Sequence, residues 1–332
     1  MKTAFITGGM GLIGSFIARR LINDNLVDKV VLLDHFGRYV DSSRNDFMDY
    51  RSLRISGIED RVKIERGEAK HFNIIYNLLD TYKPVYIYHL AALPLAKLQN
   101  LNTHEAIEGS VISTSNILES IGMLDSKHGY MPERFIYASS SMVYGDFKYT
   151  PADEGHPTNP KEVYGTMKLA GEVIVKGLSA HFGIKSVIIG PSAVYGPTDM
   201  NRRVSQIFLE KAMLRQKIKI QGEDEALDFT FVKDIAKGFV LASQKEEAAK
   251  EIFNITSGKA YTLLEYVRIL KEHFPWVEYE IVERDNFRPK RGTLSNDKAR
   301  KLLGYEPDFD LRTGLGEYIK FIKENNPKVF KS

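Results

Sequence analysis

The tripeptide Val-Tyr-Gly occurs three times, in SSSMVYGDFK (139–148), KEVYGTMKLAGE (161–172) and PSAVYGPTDM (191–200). A phenol that is to take and return a proton near neutrality must have its pKa brought down from about 10, a shift worth roughly 4 kcal/mol. A lysine ammonium held alongside supplies part of that shift. Tyr144 has Lys148 four places on and Tyr164 has Lys168, whereas Tyr195 has Asp199 there. Residues i and i+4 share a face only on a helix, so local structure must choose between the two pairs.

Between Tyr144 and Lys148 stand Gly145, Asp146 and Phe147, with Pro151 and Gly155 close behind, which is loop composition. Around Tyr164 the pattern predicts a helix over 160–182. Asn159 is placed to cap it, Pro160 to fill its first turn and Gly183 to follow its last. A hydroxyl partner for the tyrosine comes from the apolar run RFIYAS (134–139), which delivers Ser139, Ser140 and Ser141 at the C-terminal end of a strand. Ligands of open α/β sheets bind at that edge.

A second chemical motif opens the chain. The run TAFIT (3–7) leads into GGMGLIGS, which spaces Gly8, Gly11 and Gly14 for a tight turn, a close approach to a pyrophosphate and helix-on-strand packing. The free N–H groups of the helix that follows suit phosphate. Asp34 ends the next apolar run, KVVLLD (29–34), 20 residues after Gly14. A carboxylate there accepts from the adenosine ribose hydroxyls and repels a 2′-phosphate, which favours NAD over NADP against the opposing signal of Arg38.

The elements that must position these groups alternate. VYIYHL (85–90) and KSVIIG (185–190) are further continuous apolar runs of the kind buried on both faces of a parallel sheet. Helical patterns cover 12–24, 71–82 and 104–124, giving an α/β, Rossmann-type doubly wound fold with a less regular second half. FTFV (229–232) and EIFNIT (251–256) read as later strands and 263–274 as an amphipathic helix, while 245–251 reads as a solvated helix end and turn.

Composition removes several classes of function. Among 332 residues there is no cysteine, which excludes disulfides and thiolate chemistry, and the 8 histidines show no metal spacing. A net charge of +3, without a basic stripe, does not indicate nucleic acid. No stretch reaches the length of a membrane span and the N-terminus lacks a cleavable signal pattern, so a cytoplasmic protein is expected.

Together GGMGLIG, HLAA (89–92), SSSMVYG and YGTMKLAGE resemble the extended short-chain dehydrogenase/reductases, above all their nucleotide-sugar epimerase and dehydratase branch. The likeness continues through VYGPTD (194–199), DFTFVKDIAKGF (228–239) and the segment 294–315. It implies Ser140, Tyr164 and Lys168 as the catalytic set, with Lys168 binding the nicotinamide ribose and lowering the tyrosine pKa. For NAD it implies Gly8, Gly11, Leu12, Ile13, Gly14, Asp34, His35, Glu68, Ala69, Leu90, Ala91, Ala92 and Ser192, besides Tyr164 and Lys168. It divides the chain into an NAD-binding domain, 1–190 plus 233–256, and a smaller C-terminal α/β substrate domain, 191–232 plus 257–332. By analogy it implies a homodimer built on helices 104–124 and 160–182.

The substrate implied is a nucleotide-diphosphate sugar, with Leu93, Ser140, Ser141, Met142, Tyr164, Ala193, Arg202, Arg203 and Arg288 lining its site. Here the sequence leaves the family pattern. The arginine and asparagine that ordinarily precede VYG are Gly190 and Ala193, and the arginine before D-F-x-x-V-x-D is Leu227. Arg202, Arg203, Arg288 and Arg291 are the replacements available to grip phosphate oxygens. A further small departure is Ser110, where the helix after HLAA usually has asparagine.

In dehydratases of the branch an Asp-Glu pair follows the catalytic hydroxyl. Here those positions are Ser141 and Met142, which disfavours dehydration. The resemblance therefore implies an NAD-dependent epimerase working at a sugar hydroxyl, C4 first. Decarboxylation, net oxidoreduction at C4 and a non-catalytic NAD-binding regulator remain as alternatives.

Overall fold

The computed structural model describes residues 1–37, 50–92 and 103–326. The chain opens with β1 (Thr3–Thr7), α1 (Leu12–Asn23), β2 (Lys29–Asp34), α2 (Arg51–Ile55), β3 (Val62–Arg66), α3 (Phe72–Tyr82) and β4 (Tyr86–His89). Next come α4 (Thr103–Ile107), α5 (Ser113–His128), β5 (Arg134–Ala138), α6 (Val163–Phe182) and β6 (Ser186–Pro191). The remainder comprises α7 (Val204–Met213), β7 (Ile218–Gln221), β8 (Ala226–Leu227), α8 (Val232–Gln244), β9 (Ile252–Ile255), β10 (Tyr261–Thr262), α9 (Leu263–His273), β11 (Tyr279–Val282), α10 (Asp297–Leu303) and α11 (Leu311–Asn325).

Seven parallel strands form one sheet in the order β3-β2-β1-β4-β5-β6-β9. The order reverses between β1 and β4, and that crevice at the C-terminal strand ends is where doubly wound sheets receive ligands. The continuous apolar strands are buried on both faces because helices cover each side. One core packs Ile17, Leu21 and Phe239 of α1 and α8 beneath the sheet, and the other packs Ile117, Ile121 and Val175 of α5 and α6 above it.

A second lobe has its own core, in which Phe208, Phe229, Tyr266, Leu270, Leu315 and Tyr318 come together. Two-stranded pairs, β10–β8 antiparallel and β11–β7 parallel, border it. Ala299, Leu303 and Tyr305, late in the chain, pack instead into the core beneath the main sheet.

Four local expectations are corrected. The segment FTFV makes no strand: Phe231 forms a single bridge with Tyr195 and α8 begins at Val232. Phe229 and Phe231, two apart, share the face turned into the second core, and helix α8 takes up the chain at Val232 before a ladder can form. The helix α6 starts at Val163 with Glu162 as its cap residue, not at Pro160. Pro160 is instead held against Gly165, whose backbone is closed in by the Met142 carbonyl.

The helix expected over 104–124 is interrupted by a π turn, Glu108–Ile112. Ser113 Oγ donates to the Gly109 carbonyl at 2.9 Å and Thr114 Oγ1 to that of Ser110 at 2.5 Å, so hydroxyls compete for the helix acceptors there. Finally, the 245–251 turn is not wholly solvated, since Ala248 is buried. Among the described residues no helix is long and apolar enough to cross a membrane, and no His, Asp and Glu cluster is poised to hold a metal ion.

Candidate active site

Ser139, Ser140 and Ser141 emerge from the C-terminal end of β5. Ser140 caps a short 3-10 turn (Ser141–Tyr144), its Oγ accepting from the Met142 N–H at 3.2 Å. From the first turn of α6 the half-buried Tyr164 reaches the Ser140 hydroxyl. One turn on, Lys168 is 3% exposed and donates from Nζ to the Ala138 carbonyl at 2.6 Å, with Nζ 5.9 Å from the centre of the Tyr164 ring.

The electrostatics differ from the expected pull of lysine on tyrosine. Burial raises the Tyr164 pKa above 10, offset in part by the charge of Arg203 and by the Ser140 hydroxyl. Burial also lowers the Lys168 pKa to about 7, opposed by Glu172. The physical reason is that the lysine is committed to a backbone carbonyl, and the cation whose field reaches the phenol comes from the second lobe.

The other two tyrosines have different surroundings. The chain turns away after Tyr144, whose hydroxyl donates to Asn254 Oδ1 at 3.0 Å and whose ring lies edge-on to Phe147 and His156. Tyr195 is fully buried, its hydroxyl 3.4 Å from the Leu311 carbonyl and its ring against Phe231. Neither stands beside a lysine ammonium on a helix face.

At the crevice between β1 and β4, Gly8 has φ +67°, and a Cβ there would lie 3.0 Å from the Ala91 nitrogen. A Cβ at Gly14 would meet the Gly8 carbonyl oxygen at 2.7 Å, so only glycine lets α1 start this close to the loop. Leu12 is buried and Ile13 half-buried at the start of that helix. Asp34 accepts from the N–H groups of Met10 at 3.0 Å and Phe36 at 2.8 Å. Burial pushes its carboxyl up, but His35 and these two donors hold it below the usual value. His35 in turn is raised, mainly by Asp34.

Glu68 pairs with Lys70 at 3.1 Å, and the buried Ala69 offers its carbonyl to Asn116. Leu90 and Ala91 are tied to Thr7 through backbone and side-chain bonds, with Ala92 half-buried beside them. Leu93 and Arg38 lie outside the described residues. Ser141 donates to Ser192 at 3.2 Å, and Ser141, Met142 and Ser192 are all buried.

The second lobe supplies the opposite wall. Ala193 has φ +33°, a left-handed backbone, and Leu227 is buried in β8. A Cβ at Gly190 would make ordinary contact with Asn254 Oδ1 at 3.4 Å. Of the candidate arginines, Arg202 pairs with Glu210 at 3.4 Å, and Arg288 is half-exposed and pairs with Asp285 at 3.2 Å. Arg203 and Arg291 differ: the Nε of each is buried and has no hydrogen-bond partner among the described residues. Arg291 lies within the field of Glu162, Glu225, Arg288 and Arg203, and burial lowers its pKa.

Residues 4–256 match the NAD dependent epimerase/dehydratase family. The chain belongs to that family. It is 28% identical over 331 residues to a putative UDP-glucose 4-epimerase of Methanocaldococcus jannaschii, covering 97% of this chain and 98% of that protein. It is 25% identical over 333 residues to a dTDP-glucose 4,6-dehydratase of Actinoplanes, covering 96% and 97%. In fold it is similar to the UDP-glucuronic acid 4-epimerase of Bacillus cereus, solved with UDP-glucuronic acid and NAD, with TM-score 0.86, 24% identity and coverage of 97% and 99%.

NAD is the cofactor of the family, and this crevice fits it: a glycine loop packed so closely that a Cβ at Gly8 or Gly14 would strike backbone, a helix N-terminus behind it and an ionised Asp34 at the end of β2. Three contributors escaped the sequence reading. Arg54 is buried and joins the glycine loop to the second lobe, donating to Met10 O at 2.6 Å and Thr198 O at 2.5 Å. It lies in α2, a helix of five residues, too short to show a periodic pattern. His89 is held neutral by burial, its pKa down to about 3, between Thr7 and Thr114. Glu172, four residues after Lys168, is buried and was visible as the next step of the same helix face.

Proposed function

We propose that the protein is an NAD-dependent nucleotide-sugar 4-epimerase, with Tyr164 as its acid and base. The observation that carries this reading is the meeting of Ser140, Tyr164 and Lys168 at the sheet edge beside the glycine cradle, where the two side chains after Ser140 are Ser141 and Met142. A serine hydroxyl already bonded to Ser192 and a thioether cannot move the protons that elimination of water requires.

Gly8, Gly11 and Gly14 would hold the pyrophosphate and Asp34 the adenosine ribose, with Lys168 toward the nicotinamide ribose. Bound NAD supplies the acceptor, and afterwards the donor, of one hydride, together with a positive ring that favours ionised phenol. Ser140 orients the sugar hydroxyl, and Tyr164 withdraws its proton as a ketone forms. Once the ketone has turned over in the site, so that its opposite face is toward the hydride donor, Tyr164 returns the proton to the C4 oxygen. Arg203 and Arg291, with sealed and unpartnered Nε atoms, offer the forked donors that Ala193 and Leu227 cannot give a diphosphate. The apolar residues Ile107, Ile112, Met123 and Val173, 38–63% exposed on α4, the π turn, α5 and α6, support a homodimer through that face.

The test is incubation with UDP-, dTDP-, GDP- and CDP-hexoses and hexuronates under substoichiometric NAD. The expected product is a C4 epimer, formed over many turnovers per cofactor. Stoichiometric NADH, loss of CO2 or a 4-keto-6-deoxy sugar as the only product would each overturn the reading.

A further inference from the structure

The catalytic helix carries a third polar side chain on the face of Tyr164 and Lys168. Glu172 follows Lys168 by four residues, so the three sit one above another along α6. Glu172 is 5% exposed and Lys168 3% exposed. Ser139 Oγ donates to Glu172 Oε1, while Lys168 Nζ donates to the carbonyl of Ala138, the residue next to Ser139. Both charged groups are therefore anchored to consecutive residues at the end of β5, and Ser139 is itself fixed by its N–H bond to Ile189 O at 2.7 Å.

We infer that Glu172 is a positioning residue for the reaction: its carboxylate, pinned by Ser139, keeps Lys168 an ammonium pointed toward Ala138 and the tyrosine. The inference rests on the catalytic reading of Lys168 given above. A buried lysine sheds its proton unless an anion compensates its desolvation. Around Lys168 stand His89 from β4, Tyr137 from β5 and Tyr164 and Glu172 from its own helix, and of these only Glu172 favours the charge. Glu172 also faces Lys176 and lies within reach of Tyr144 and Tyr137, and burial pushes its carboxyl up while Ser139 and the two lysines draw it down. The Ser139 hydroxyl is thus what keeps the anion available to Lys168.

The experiment follows the lysine itself, so it needs no identified sugar. The NAD-loaded protein, labelled at lysine Cε and Nζ, is titrated by NMR, with the Lys168 signal assigned by its loss in Lys168→Arg. In Glu172→Gln the ammonium-to-amine ratio of Lys168 at a given pH near its midpoint is expected to fall at least about tenfold, one pH unit of midpoint. Glu172→Asp restores most of that ratio, and Ser139→Ala gives a smaller loss in the same direction. Ser139→Ala also serves as the deciding variant should Glu172→Gln fail to fold. Coincident titrations in the wild type and the variants overturn the inference. If Tyr164→Phe abolishes turnover while these titrations coincide, the inference alone fails. If Tyr164→Phe turns over freely, the catalytic reading beneath it fails.

Discussion

At the scale of single residues the three Val-Tyr-Gly copies separate by what surrounds each hydroxyl. Tyr164 meets Ser140 at a half-buried crevice, whereas Tyr144 donates to Asn254 and Tyr195 fills the second core. Tyr164→Phe is expected to lower the rate of NAD reduction by sugar by at least about a hundredfold while NAD remains bound. Tyr144→Phe should cost about 1 kcal/mol of stability, the value of one hydrogen bond, and change that rate only a few-fold. Stopped-flow absorbance at 340 nm and thermal melts measure the two effects. This much was legible in the sequence, because helical spacing and loop composition are local properties. The charge environment was not. That Lys168 would spend its bond on Ala138, and that Arg203 would be the cation felt by Tyr164, depends on burial and on a lobe remote in sequence.

At the scale of elements, the parallel strands and the helices between them could be read because continuous apolar runs and 3.6-residue periods are strong signals. In the second lobe the amphipathic helix at 263–274 was legible and is α9, but the strands were not, since they are only two to four residues long and the lobe's aromatics are buried by tertiary packing. Asp228 ties the end of β8 to two segments later in the chain. Fully buried, it accepts from Ser257 Oγ at 2.7 Å, Ser257 N at 3.0 Å and Leu294 N at 3.3 Å. Burial, against these donors, raises its pKa to about 6. Because this lies above the unfolded value of about 3.9, the folded chain takes up the proton first. The cost of the buried charge is therefore present above pH 6 and relieved as the pH falls toward 4. Asp228→Asn is expected to flatten that part of the dependence of Tm on pH, and an unchanged slope would refute the assignment.

At the scale of the whole molecule, two lobes meet at the crevice, where Arg54 joins the glycine loop to Thr198, and the outer face of α4, α5 and α6 exposes Ile107, Met123 and Val173. If that face pairs two copies, Val173→Arg should convert dimer to monomer in light scattering, with each copy retaining its NAD site. A monomeric wild type would contradict the pairing. The departures at Gly190, Ala193 and Leu227 were plain in the sequence, and Arg203 and Arg291 stood among the four arginines it offered in their place; that these two come together shows only in the fold, because they lie far apart in the chain. The most direct test of the central claim is proton NMR of the nucleotide-sugar incubation run in D2O. Hydride removal and return under Tyr164 should yield the C4 epimer with protium retained at C4 and no net NADH. Deuterium at C4, or no C4 epimer from any nucleotide sugar of the panel, would contradict it.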